Sequence, residues 1–184
     1  MRGLCCLRAF QTAEAKIEAL ARGERGNIGD LLRILEWNSN LNINMLRYEA
    51  EGYTVLHLAS LSSNSTFIEG LLHTHLKIDA DAKSAHVGYT ALHLSSWKGD
   101  LPIAKLFCER ALVDLEIKSR EGFTALHYAA WAGSVELCFY LVSVGANLKA
   151  KNKHGYTPLL VAARAGNEDV VHFLVEQSAV DIDE

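Results

Sequence analysis

The chain has 184 residues, 49% of them hydrophobic, which is enough apolar material for a core and excludes an intrinsically disordered segment. Its formal net charge of −4 comes from 18 Lys and Arg against 22 Asp and Glu. The acidic excess sits in the last nine residues, where Glu176, Asp181, Asp183 and Glu184 meet no base, so the rest sums to zero and lacks the basic cluster of a nucleic-acid binder.

At the amino terminus, "MRGLCCLRAF" holds one short apolar run and is soon followed by charges, so it does not read as a signal peptide. Gly3 is misplaced for myristoylation, and a lipid on Cys5 or Cys6 would need a second membrane signal that the sequence does not supply. No stretch has the length and apolarity of a membrane span. Cys108 and Cys138 fall inside apolar helical patterns and read as small buried hydrophobes. The expected setting is reducing and intracellular, cytoplasmic with the nucleus also compatible.

Residues 1–15 read as an extension, and an array of like units is expected from 16 to 184. The first unit is degenerate: "GNIGDLLRILEWNSNLNIN" from Gly26 matches only the second half of those that follow. Then come "GYTVLHLAS" from Gly52, "GYTALHLSS" from Gly88, "GFTALHYAA" from Gly122 and "GYTPLLVAA" from Gly155, at spacings of 36, 34 and 33. Self-similarity at that period means one supersecondary unit stacked on its own copies. The units are placed at about 16–49, 50–85, 86–119, 120–152 and 153–184.

Within each unit, Thr54, Thr90, Thr124 or Thr157 stands where an N-cap belongs, and Pro158 follows at the first helical position. A first helix of about nine residues is expected, then a turn at Gly99, Gly133 or Gly166. The second helix repeats an apolar stripe: Phe67, Ile68, Leu71, Leu72; Ile103, Ala104, Phe107, Cys108; Leu137, Cys138, Leu141, Val142; Val170, Val171, Leu174, Val175. Pro102 lies in a first turn behind Asp100 as a cap and should not break its helix. An extended segment such as "ANLKAKN" then leads to the next Gly.

These residues resemble the ankyrin-repeat family, whose hallmark is Thr-Pro-Leu-His-x-Ala-Ala, then Gly and later Gly-Ala-Asp-x-Asn. The resemblance covers residues 26–184 and implies an all-α ankyrin-repeat solenoid of stacked helix-turn-helix units with β-hairpin-like turns. Departures occur. Val55, Ala91 and Ala125 replace the family's Pro; Leu160 replaces its His; Ser63 replaces the inter-helix Gly; His75, Ala111 and Ser178 replace the Gly that ends the second helix. One to three extra residues in the second, third and fifth units point to altered hairpin tips.

His57, His93 and His127 recur at one place in successive units, and stacking sets them about 10 Å apart, too far to share one metal ion. Each is expected to hydrogen-bond neighbouring backbone, as the resemblance also implies. No nucleophile elbow, phosphate-cradling loop or zinc-protease helix is present, so neither catalysis nor a cofactor or metal is implied.

The resemblance points instead to a protein partner lying across the concave face of a monomer. Residues expected there are Tyr53, Tyr89, Phe123 and Tyr156 beside the turn glycines, with Arg120 and His154 at the hairpin tips. Trp97, Lys98, Trp131 and Arg164 end the first helices. The Gly-adjacent aromatics are more readily explained by packing on the next unit; Trp97 and Trp131 stand out, because Trp is enriched at binding hot spots. Asn147 resembles the hairpin-tip Asn that an asparaginyl hydroxylase modifies in ankyrin repeats, although an Asn bonding its own turn is the simpler account of it. Competing with a plain scaffold or adaptor is a targeting part of a phosphatase, kinase or ubiquitin ligase complex. The ending "AVDIDE", straight after a second helix, would suit a truncated or variant form of a longer chain.

Overall fold

In the computed structural model, which describes residues 13–23, 28–38, 41–74 and 76–180, the threonine of each repeated tetrad closes an extended segment and opens a short helix. Thr54 and Thr90 accept hydrogen bonds from the backbone N–H of His57 and His93 at 3.5 and 3.3 Å, and Thr157 from Leu160 at 3.4 Å. Side-chain oxygens start the second helices too: Asn64 accepts from Phe67, Asp100 from Ile103 and Ser134 from Leu137. Such caps satisfy helix donors that would otherwise be orphaned.

In chain order the helices are α1 (helical over 13–21), α2 (Ile28–Trp37), α3 (Val55–Leu61), α4 (Ser65–Leu72), α5 (Ala91–Trp97), α6 (Leu101–Leu106), α7 (Ala125–Ala132), α8 (Val135–Ser143), α9 (Pro158–Ala165) and α10 (Glu168–Val180). A short 3-10 turn, Ile43–Met45, follows α2. First helices pack on first helices (α3 on α5, α5 on α7, α7 on α9), and second helices on second helices. This is an all-α array of stacked pairs. The first helices are seven or eight residues long rather than nine. Gly133 and Gly166, both at φ 78°, stop α7 and α9 one residue earlier than the sequence pattern suggests.

The expected stripe forms the core. Phe67, Ile68, Leu71, Ile103, Ala104, Phe107, Leu137, Cys138, Leu141, Val170 and Leu174 are buried, each large aliphatic or aromatic side chain contributing about 1.5–3 kcal/mol. Val175, assigned to the same stripe, is instead half-exposed, in a helix whose neighbours are α8 and α9. Small residues on the first helices, Ala59, Ser60, Ser95, Ser96, Ala129 and Ala130, are also buried and allow close approach.

Two side-chain ladders join the units. In the first, His57 Nδ1 accepts the Thr54 N–H, which leaves Nε2 as donor to the Tyr89 carbonyl at 2.6 Å in the following unit. His127 repeats this with Tyr156 O of the following unit at 2.9 Å, whereas His93 reaches Ile117 O at 3.0 Å, on the segment of its own unit that leads to the next hairpin. Burial lowers the pKa of His57 and His93 to about 4 and depresses that of His127, so all three are neutral at pH 7. In the second ladder, Asn42, Asp79, Asp114 and Asn147 each accept the backbone N–H two residues ahead. The N–H groups of Asp79, Asp114 and Asn147 go in turn to side chains of Asn44, Asp81 and Glu116 in the preceding unit.

The extra residues are distributed differently from expectation. Tips 48–53 and 84–89 do hold one residue more between paired backbone groups than tips 119–123 and 152–156. The single extra residue of the third unit, however, lies in its second helix. There α6 continues into a π-helical turn, Phe107–Ala111, and the chain reverses at Leu112 with φ 50° and ψ 48°. Without glycine at 111 the helix overruns by one residue, and the wider turn keeps Phe107 in the core while absorbing it.

Among the described residues no strand is formed beyond an isolated bridge between Tyr48 and Tyr53, and no helix is long and apolar enough to cross a membrane. Of the extension expected at 1–15, residues 1–12, with Cys5 and Cys6, lie outside the described residues, as do His75 and 181–184, while residues 13–15 already belong to α1.

Candidate interaction surface

Each hairpin places an aromatic residue immediately after its glycine, at the foot of a first helix. Gly122 shows why the glycine is needed. Its φ is 82°, and a Cβ there would stand 2.7 Å from the backbone nitrogen of Lys153 and 3.0 Å from the Cα of Asn152 in the next hairpin. Backbone packs against backbone, and the neighbouring aromatic is held in a fixed direction.

The aromatics do not all stand free. Tyr53 is buried, its ring stacked on His57 at 5.5 Å. Tyr89 is half-buried and meets Tyr128 edge to face, with centroids 5.5 Å apart at 82°. Phe123 lies against His127 at 5.5 Å and Tyr128 at 5.4 Å. Tyr156 is half-buried, with the Arg164 guanidinium over its ring at 5.6 Å and hydrogen-bonded to its hydroxyl at 3.2 Å. Packing between units therefore accounts for much of what these four residues do.

The first-helix ends differ. Trp97 and Trp131 are 53% and 48% exposed, at equivalent positions on the directly packed helices α5 and α7. Beside Trp97, Lys98 extends its Nζ to the Leu61 carbonyl at 2.6 Å and to Ser63 Oγ at 2.7 Å. At the tips, Arg120 donates to the Ala85 carbonyl at 2.9 Å, and His154 Nε2 lies 3.7 Å from a Glu121 carboxylate oxygen.

Tyr53, Tyr89 and Trp97 come together as walls of one cleft of about 190 Å³ that spans three units. Its remaining lining comes from Leu61, His93, Leu94 and Tyr128. Tyr128 is the residue that sequence reasoning missed. The same position holds Leu58, Leu94 and Val161 in the other copies, so a tyrosine among aliphatics was the available signal. Its hydroxyl donates to Ser119 Oγ at 3.2 Å, and its pKa is raised chiefly by burial. Trp131, Arg164 and His154 do not line this cleft. Asn147 is exposed on the loop after α8, with its side-chain oxygen closing its own turn onto the Lys149 N–H at 2.8 Å.

Among the described residues no group of three or more His, Cys, Asp or Glu side chains is placed to hold a metal ion. Both nitrogens of each ladder histidine are committed to structural hydrogen bonds.

Comparison with known proteins agrees with this architecture. Three overlapping copies of the family model for ankyrin repeats match residues 19–119, 72–152 and 110–184. The chain is also similar to BTB/POZ domain-containing protein 1 of Schizosaccharomyces pombe (strain 972 / ATCC 24843). The two are 31% identical over 121 residues, 62% of this chain and 8% of that protein. The chain thus corresponds to a small part of that relative's length. With the family model spanning nearly all of the described array, the chain belongs to the ankyrin-repeat family.

Proposed function

We propose that the array is a noncatalytic protein-interaction module, a scaffold or adaptor that binds a partner protein across the face formed by its hairpin tips and first helices. The observation that carries this reading is the pair of half-exposed indoles, Trp97 and Trp131, one of them on the wall of an aromatic cleft. Large apolar rings left in water at equivalent positions gain most when a partner covers them. Tyr53, Tyr89, Phe123 and Tyr156 support that surface from beneath, while Lys98, Arg120, His154 and Arg164 supply its polar rim. The test is affinity capture with the wild-type chain beside the Trp97→Ala/Trp131→Ala variant. Each side chain is about half buried, so the double truncation should lower folding stability by about 3 kcal/mol, and circular dichroism should still show a folded array while partner capture is lost. Undiminished capture by the folded variant would refute the location.

A second reading, a targeting part of a larger enzyme complex such as a phosphatase, kinase or ubiquitin ligase, draws support from the fission-yeast relative, whose matching stretch lies within a far longer BTB/POZ-containing chain. Co-purification of such an enzyme with the wild type but not the Trp variant would favour it. Asn147 enters as a modification site on an exposed turn. Peptide mass mapping of protein from its native source should show one added oxygen there, and its consistent absence would remove the proposal.

A further inference from the structure

The cleft between the second, third and fourth units combines a shape and a field that together select an occupant. Tyr89, His93 and Tyr128 meet pairwise at 82°, 61° and 69°, with centroids 5.3 to 6.5 Å apart. Three rings so disposed form the inner corner of a box, and Tyr53 and Trp97 supply further walls. The volume, about 190 Å³, suits one long side chain rather than the face of a helix.

The ring faces and the surrounding charges together decide which side chain. Glu51 and Glu49 act electrostatically on Tyr53 and Glu121 acts on Tyr128, while Lys83 acts on His93, so the field on the lining residues comes from three carboxylates and one ammonium. Glu49 is shared with Arg22 and Glu121 stands near His154, whereas Glu51 is the strongest charge acting on Tyr53. His93 is uncharged at pH 7 and spends its Nε2–H on the Ile117 carbonyl, so it adds no cation to the wall. Lys98, next to Trp97, keeps its charge at the Leu61 edge of the cleft, where its Nζ donates to Leu61 O and Ser63 Oγ, and an occupying cation sits toward the tyrosines, away from that edge.

An aliphatic occupant would strip water from phenol oxygens and carboxylates without replacing their hydrogen bonds. An anion would face the negative π surfaces and the carboxylates together. A cation gains from both the ring faces and the carboxylates.

We infer that the cleft bounded by Tyr53, Tyr89, Trp97 and Tyr128 receives a basic side chain, arginine or lysine, of the bound protein. This deepens the docking reading above and rests on it.

The test uses the 184-residue chain and four probes, the Nα-acetyl methylamides of arginine, lysine, leucine and glutamate, followed through the tyrosine ring resonances by NMR. Arginine or lysine should shift the rings saturably, and whichever binds tighter identifies the cation. Leucine and glutamate should bind at least about fivefold more weakly. Tyr128→Leu carries the residue found at that position in α5 and should fold by circular dichroism, yet lose about fivefold in affinity for the basic probe. Glu51→Gln/Glu121→Gln should weaken the same probe about threefold and flatten its salt dependence. Equal or tighter binding of leucine, no ring response to either cation up to its solubility limit, or unchanged affinity in folded Tyr128→Leu would overturn the inference. Loss of partner capture in the Trp97→Ala/Trp131→Ala variant together with silence toward both cations would leave the docking face standing and remove its basic occupant. Saturable cation binding with undiminished capture would instead remove the docking reading.

Discussion

Lowering the pH from 7 to 5 is expected to cost the fold about 4 kcal/mol through His57 and His93 alone. Each imidazole accepts a hydrogen bond at Nδ1 and donates one from Nε2 in the interior, an arrangement that requires the neutral ring. Burial holds both folded-state pKa values at about 4, against 6.5 for the exposed side chain. Between those limits the unfolded chain binds more protons than the folded one. The contribution to stability is therefore complete above pH 6.5 and is lost as the pH falls toward 4, at about 1.4 kcal/mol per pH unit for each ring. At pH 5 that amounts to about 2 kcal/mol for each of the two, with His127 adding in the same direction. Domains of this kind are stable by about 5–15 kcal/mol, so the loss is a large fraction of the total. Asp81, whose carboxyl burial raises above its ordinary range, works in the opposite sense at lower pH, so the measurement is kept at or above pH 5. Urea unfolding followed by circular dichroism at fixed ionic strength from pH 7.5 to 5 reads the slope. His93→Gln, which preserves a side chain able to cap Thr90, should reduce that slope by about 1.4 kcal/mol per pH unit. A flat profile in the wild type, or the same slope in the folded variant, would refute the reasoning.

Two backbone predictions have opposite signs. Leu112 adopts a left-handed conformation with its side chain 83% exposed, so Leu112→Gly should stabilise the chain by about 1 kcal/mol, visible as a higher urea midpoint. Gly122→Ala should destabilise by about 2 kcal/mol or more, because its Cβ meets backbone of the next hairpin as well as an unfavourable φ; an unchanged midpoint would contradict that packing.

The parts of this molecule that repeat were readable from sequence, and the reason is physical. A solenoid unit solves one local problem several times, so a threonine cap, a histidine three residues on and a stripe of core positions recur in register and identify themselves. The π-helical turn at Phe107–Ala111 did not, since an extra residue between Gly88 and Gly122 is compatible with insertion at several places and only the burial of Phe107 fixes which. The cleft was legible in half. Tyr53, Tyr89 and Trp97 occupy positions that the repeat marks as outward, but their burial ranges from 9% exposed for Tyr53 to 53% for Trp97, a difference set by the neighbouring unit rather than by the residue. Tyr128 could not be assigned by periodicity at all, because its copies are aliphatic and its role arises only when stacking brings its ring edge to face with Tyr89 of the unit before. Specificity in such an array is therefore to be sought where one copy departs from its siblings, since shared positions maintain the stack and a departure is free to shape a site.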